Sequence, residues 1–470
     1  MRWSAARWYF AWGEAPGACQ TCAFACILMT PLEQLRAGHL AGTRRLTLAC
    51  GLTEFPREIF DLADTLEILD LSGNALTELP ADLPRLHKLR VLFCSDNQFT
   101  ELPAVLGQCT QLTMIGFKAN QIRSVPGAAL PPALRWLILT DNQLEALPAD
   151  IGRCTQLQKL MLAGNRLRAL PPEIVACTRL ELLRIAANQL TEFPTALLAL
   201  PRLSWLAYAG NPFCEPHERA ALAQASTSTV SIPWLHLQLQ HTLGEGASGV
   251  IHQAHWRHGD AVQPVAVKLF KGAITSDGLP QCEMTACLRA GDHPHLIPVL
   301  GPLDAHPSGA PGLVMDLIDP GFRTLAGPPS LDSCTRDSYA PDTCFDLCTA
   351  IGIALAIASA AAHLHAQGLM HGDLYAHNIL HDANGNALLG DFGAASFLVQ
   401  GDQRQAHALQ RIEVRAFACL LEELLTRCTL TADQAYVHAT LLKLQTACGQ
   451  NVASERPLFA EIAQLLRTLA

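Results

Sequence analysis

Leu66-Glu-Ile-Leu-Asp-Leu-Ser-Gly-Asn-Ala-Leu-Thr-Glu-Leu-Pro80 is one turn of a pattern that recurs through the first half of this 470-residue chain. The asparagine at 74 returns at 97, 120, 142, 165, 188 and 211, at intervals of 22 or 23 residues, and the proline at 80 keeps phase with those at 56, 103, 126, 148, 171 and 194. Each turn of such a period supplies one short strand and cannot bury its leucines alone, so neighbouring turns stack into a continuous core. Eight turns at roughly 4.8 Å per strand predict an α/β solenoid about 40 Å long. The asparagine amide is expected to bond backbone groups left unpaired at each turn, which explains its recurrence without any catalytic role.

The same period predicts which side chains leave the strands towards the concave face: those six, four and two positions before each asparagine. They include Phe93, Met114, Trp136, Met161, Arg184 and Trp205. A face this apolar exceeds what solubility requires, and such patches mark interfaces, so a protein-binding surface is expected there. The bland alternative is that these side chains lie under their neighbours or beneath the second domain.

That second domain carries four motifs in order: Leu243-Gly-Glu-Gly-Ala-Ser-Gly-Val-Ile251, Val265-Ala-Val-Lys268, His371-Gly-Asp-Leu-Tyr-Ala-His-Asn378 and Asp391-Phe-Gly393. Gly244, Gly246 and Gly249 lack β-carbons, so a strand-turn-strand there can lay backbone N–H groups close over phosphates. Strand-like runs flank the glycines, which argues against a dinucleotide fingerprint opening a helix. Together the four pieces resemble a eukaryotic-type protein kinase, and the whole chain from about 40 to 465 resembles an intracellular leucine-rich-repeat protein kinase. The fold class expected is therefore an α/β leucine-rich-repeat solenoid followed by an α+β bilobal kinase-like domain.

The resemblance implies roles residue by residue. Leu243 and Ile251 would flank the adenine with Ala266, Met315 at the gatekeeper position and Asp316 in the hinge. Lys268 would reach the α- and β-phosphates, oriented by Glu283 on a helix fifteen residues later. Asp373 would accept the proton of the acceptor hydroxyl, while Asn378 and Asp391 would hold Mg²⁺, a cation suited to two oxygen ligands plus phosphates and waters. ATP and Mg²⁺ are thus the implied cofactors. The implied activity is transfer of the γ-phosphoryl group to a protein hydroxyl, Ser/Thr ahead of Tyr although the loop assigns neither. The alternative is a repeat scaffold with an ATP-binding but inactive pseudokinase lobe.

Several positions depart from the family pattern. Gly372 stands where an arginine is expected, and no lysine or arginine lies between Asp373 and Asn378. An Ala-Pro-Glu motif is missing after Gly393, and a helix start resembling Asp-x-Trp-Ser-x-Gly comes early, at Glu413-Val-Arg-Ala-Phe-Ala418, so the activation segment is short. Arg456 resembles the family's last invariant arginine without its glutamate partner.

Expected boundaries are a non-native or disordered extension over 1–28, repeats over 40–225, a linker at 226–236 and the kinase domain over 237–470, with a loop insertion at 320–342. A net charge of −9 without a basic stripe argues against nucleic acid. Among the 17 cysteines, Cys94, Cys109, Cys154 and Cys177 occupy leucine-type slots and read as small buried hydrophobes. The uncharged run 347–362 leads into the catalytic loop and reads as a core helix, not a membrane span. A cytoplasmic protein with protein substrates or partners is expected.

Overall fold

The computed structural model describes residues 29–470 except 229, 247, 273, 276 and 399–401, so the expectation for residues 1–28 lies outside it. Two compact units are present, one ending at Leu180 and the other running from Glu181 to Ala470. The border expected at 225 from the polar composition of the linker is thus displaced: the last two repeats belong with the domain that follows them.

In the first unit, helix α1 (Pro31–Arg36) starts at Thr30 with a capping box to Glu33. Strands β1 (Arg45–Thr47), β2 (Ile68–Asp70), β3 (Val91–Phe93), β4 (Met114–Gly116), β5 (Trp136–Ile138) and β6 (Lys159–Met161) follow, each parallel to the next. Short 3₁₀ turns such as Ala104–Gln108 return the chain. Leu69, Leu92, Ile115, Leu137 and Leu160, at the centre of successive strands, are fully buried. The asparagines knit the turns together. Asn142 Oδ1 accepts from Ile122 N at 2.9 Å, while its Nδ2 donates to Phe117 O at 2.8 Å and Leu139 O at 3.1 Å. The residue before each asparagine takes a left-handed φ, from 52° at Asp96 to 72° at Gly73, which bends the chain so that the amide turns inwards. Cys94, Cys109, Cys154 and Cys177 are buried free thiols. Burial pushes Cys109 and Cys154 up to about 11, which keeps them inert.

The expected partner face is corrected here. Met114, Trp136 and Met161 are 2%, 3% and 6% exposed, so they form no open apolar surface. Lys159 Nζ lies 4.3 Å from the centre of the Trp136 ring, and the Phe93 ring folds flat over Gly116, where a β-carbon would collide with it.

The second unit begins with parallel strands β7 (Leu182–Arg184) and β8 (Trp205–Ala207), followed by helix α2 (Glu215–Ser228). The expected linker at 226–236 is another correction: α2 runs to Ser228, and β9 (Ile232–Pro233) buries Ile232 at the edge of a sheet. That sheet continues with β10 (Leu237–Glu245), β11 (Gly249–His258), β12 (Ala261–Phe270), β13 (Val299–Asp304) and β14 (Gly312–Asp316), in the order β10-β11-β12-β14-β13-β9. Helix α3 (Pro280–Ala290) packs against it. Ala254, Val265, Val267 and Val314 fill its core, as β-branched residues do on a pleated half-buried surface.

The lower lobe is built on α4 (Leu347–Ala366) and α5 (Gln403–Leu425), with α6 (Ala435–Cys448) and α7 (Phe459–Arg467) beyond them. Helix α4 is long and apolar enough to cross a membrane, but it is mostly buried among α5, α7 and a small sheet. Short strands β15 (Arg323–Thr324), β16 (Phe345–Asp346), β17 (Leu369–Met370), β18 (Ile379–His381), β19 (Ala387–Leu389), β20 (Ser396–Phe397) and β21 (Cys428–Thr429) complete the lobe, with β17 and β18 on either side of the loop 371–378. The stretch expected as a loop insertion at 320–342 is anchored: Cys334 and Thr335 are fully buried, and Arg336 bonds Glu423 at 2.8 Å.

Replacing Asn142 by Ala strands the Ile122 N–H in the core, while Phe117 O and Leu139 O keep the amides of Asn120 and Asn165 as donors. Unfolding monitored by circular dichroism is expected to show a loss of about 1–3 kcal/mol, the cost of one buried unsatisfied donor.

Candidate active site

Strand β12 places Lys268 in register with Ile251 on one side and Leu313 on the other, and Ala266 opposite Met315. The residues expected around adenine therefore share neighbouring strands. Leu243 is buried, Asp316 accepts from Gln263 Nε2 at 3.3 Å, and Gly246 N donates to Gly249 O at 2.9 Å, closing the glycine-rich turn. A β-carbon on Gly249 would collide with Leu269 O, so that close strand approach requires glycine.

Lys268 Nζ and Glu283 Oε1 form an ion pair, both side chains nearly buried. Pro280 at the first turn of α3 starts the helix without needing a backbone N–H, and sets Glu283 facing the sheet. Burial alone would lower the Lys268 pKa, but Glu283 and then Asp391 raise it above the ordinary lysine value, so the ammonium stays charged.

The catalytic loop is held from below. His371 Nε2 meets Gly390 O at 2.9 Å, and its ring packs on Phe392. Gly372 N donates to Glu413 Oε1 at 2.7 Å, while the other carboxylate oxygen of Glu413 meets His365 Nε2 at 2.7 Å. Burial would raise Glu413, but His365 and the Gly372 N–H hold it below the ordinary value. Asn378 Nδ2 donates to Asp373 O at 2.9 Å and to Asp373 Oδ2 at 2.8 Å, which leaves the amide oxygen as the acceptor on the other side. Asp391 is exposed, with a left-handed φ of 58°, and its Oδ1 accepts from Gly393 N at 3.2 Å. The donor set expected for Mg²⁺ thus consists of one amide oxygen and one carboxylate, a hard-oxygen set that fits that ion.

Arg184 and Trp205, expected on a face for an outside partner, are brought to this loop instead. These two side chains are therefore not free for an outside partner. Arg184 is 1% exposed: Nε donates to Asp277 Oδ1 at 2.6 Å, Nη1 to Gly372 O at 3.1 Å, and Nη2 pairs with Asp373 Oδ1. Burial would lower the Arg184 pKa, but Asp373 and Asp277 raise it above the ordinary arginine value. The Trp205 ring stacks on Tyr375 at 4.1 Å and 5°, and its Nε1 donates to Leu374 O at 3.0 Å. Gly372 has φ 74°, and a β-carbon there would collide with Ala394 O and lie 2.8 Å from Leu206 O, so no arginine fits. Arg456, lacking a carboxylate partner, donates to Gln450 O, Arg411 O and Pro201 O at 2.7–2.9 Å, and burial pulls it down to about 10.

Three participants were not singled out for this site from the sequence: Asp277, Asp337 and, in this role, Arg184. Asp337 Oδ1 meets His377 Nδ1 at 2.7 Å, and its Oδ2 accepts from His377 N at 3.0 Å. The one available signal was a catalytic loop without lysine or arginine, which leaves its carboxylate to find a cation elsewhere.

Residues 237–426 match the family described as protein tyrosine and serine/threonine kinase, and residues 65–86 match the leucine-rich repeat. The chain therefore carries a leucine-rich-repeat solenoid and a protein kinase domain. A tyrosine-protein kinase receptor of Gallus gallus is 28% identical over 184 residues, covering 38% of this chain and 21% of the receptor. A probable serine/threonine-protein kinase of Dictyostelium discoideum is 29% identical over 231 residues, covering 48% of this chain and 13% of its own. A leucine-rich-repeat protein of known structure from Leptospira interrogans has 27% identity and a TM-score of 0.33, covering 38% of this chain and 51% of that one. The chain thus spans about a fifth or less of the length of these two curated relatives, which include both hydroxyl classes.

His377 provides a pH test. Burial would lower its pKa, but the Asp337 carboxylate raises it above the ordinary 6.5. Its stabilisation is in full force below the unfolded-state pKa and is lost as pH rises through the folded-state value. The melting-temperature gap between the wild type and His377→Gln is expected to be largest near pH 6 and to shrink towards pH 9.

Proposed function

We propose that the second half of the chain catalyses transfer of the γ-phosphoryl group of MgATP to a protein hydroxyl. The observation that carries this is the joint presence of the Lys268–Glu283 ion pair and an Asp373 carboxylate oriented by Asn378. When bound, MgATP would supply the electrophilic phosphoryl group, with Lys268 against its phosphates and Asn378 and Asp391 on its metal. The protein's share is positioning and charge. Lys268 is held charged and fixed by Glu283. Asp373, kept in one orientation, accepts the acceptor's proton as its oxygen attacks. A serine or threonine acceptor is favoured over tyrosine. The reading includes work in a reducing, cytoplasmic compartment, which the free thiols among the described residues support.

Purified full-length protein with Mg²⁺ and ATP labelled at the γ-position, offered generic protein substrates and itself, tests this. Asp373→Asn is expected to reduce transfer by about 10²–10⁴-fold while ATP binding persists. ATP binding with no transfer that depends on Asp373 would favour the scaffold reading.

A further inference from the structure

The catalytic loop from His371 to Asn378 has no lysine or arginine, and its second histidine, His377, is tied to Asp337. Yet the largely buried Asp373 shares one guanidinium with the Asp277 carboxylate. A buried carboxylate beside another needs a positive donor to fix its orientation, or mutual repulsion turns it away from the acceptor. The guanidinium that meets this need comes from β7, about 190 residues earlier in the chain: Arg184 touches Asp373, Asp277 and the Gly372 carbonyl at once.

The contact is built in, not draped over the site. Trp205 lies on Tyr375, Tyr208 N–H donates to Ser396 Oγ and its hydroxyl donates to Phe397 O, both at 3.0 Å, and Arg456 reaches Pro201 O. Leu206 O occupies the space a side chain at 372 would need. Arg184, Trp205 and Tyr208 are each at most 2% exposed. Asp373 keeps two separate restraints, Arg184 on Oδ1 and Asn378 on Oδ2, with a second lone pair on each oxygen still able to accept a proton.

We propose that Arg184 is a positioning residue of the phosphoryl-transfer centre: it orients Asp373 and offsets the surrounding carboxylates, so the kinase centre is complete only with the last two repeats in place. This rests on the kinase reading above. The repeats thereby act as part of the enzyme and not solely as a recruitment arm.

Steady-state transfer by the full chain is compared for wild type, Arg184→Ala, Arg184→Lys and Asp277→Asn, with folding checked by melting temperature and by ATP binding. Arg184→Ala is expected to lower kcat roughly a hundredfold, the scale of a misplaced catalytic group, with KM for ATP unchanged. Arg184→Lys should recover part of that loss, and Asp277→Asn, which keeps an acceptor for Nε but loses the charge that anchors the guanidinium, should fall between. Unchanged kcat overturns the proposal. So does a raised kcat, which would make Arg184 a restraint on an otherwise competent centre. Should Arg184→Ala fail to fold, the other two variants carry the test. Hydrogen exchange over 371–378 reads the positioning without turnover, so it separates failure here from failure of the kinase reading. Faster exchange in the variants is expected even if the wild type transfers nothing, and equal exchange overturns the proposal.

Discussion

A guanidinium with almost no water around it must satisfy its donors with protein, and Arg184 does so with two carboxylates and a carbonyl. Removing one partner from such a buried arrangement typically costs about 3–5 kcal/mol, because an unpaired charge is left behind. Three segments distant in sequence are therefore pinned to one point: strand β7, the loop before α3 that carries Asp277, and the catalytic loop. Other features of the second unit follow from that pin. Gly372 has no side chain because Ala394 O and, from the repeats, Leu206 O fill its space. The loop before α3 is drawn in until Gly278 approaches Ala186, where a β-carbon would come within 3.1 Å.

The short segment between Asp391 and α5 sets the complementary constraint. After β20 the chain passes almost directly into α5, so few residues remain to cover the catalytic loop. Buried backbone groups still need partners. Residues from the repeats provide several: Tyr208 caps Phe397 O, Trp205 caps Leu374 O, and the Pro201 carbonyl receives one arm of Arg456. Thr335, from the stretch after the interlobe strand, donates to Glu181 on the opposite flank. A missing piece of one domain is thus compensated by side chains of another, which is why the compact unit begins at Glu181.

Local and periodic features were legible in the sequence. The leucine–asparagine period specifies parallel strands at predictable positions, because each repeat faces the same burial problem as its neighbour. The interval between Lys268 and Glu283 is short enough for a strand and a following helix to bring them together, and they do meet. Long-range pairings were not legible. Nothing in the period distinguishes Arg184 from Lys159 on the preceding strand, since both are placed by the period on the same face. What separates them is contact with a loop almost 190 residues downstream. The stretch around 226–236 misled for a related reason. Its serines and threonines resemble a linker by composition, but helix α2 and the burial of Ile232 override that local preference.

Two acidic residues in one centre have opposite surroundings, and the contrast follows from their expected tasks. Asp391 is exposed and sits at a left-handed φ, a conformation that costs of order 1 kcal/mol or more and persists where neighbouring structure enforces it. A carboxylate destined for a hydrated hard cation gains from open space, because Mg²⁺ keeps several waters. Asp373 is mostly buried and gripped at both oxygens, which suits the base proposed above, since such a base has to meet one hydroxyl in one orientation. The upper lobe secures its own charged pair, Lys268 with Glu283, entirely within the kinase domain. The lower lobe has no equivalent cation in its catalytic loop and draws on Arg184. A border placed near residue 225 on composition would therefore part Arg184 from the two carboxylates it bonds, leaving Asp373 beside Asp277 with no guanidinium between them.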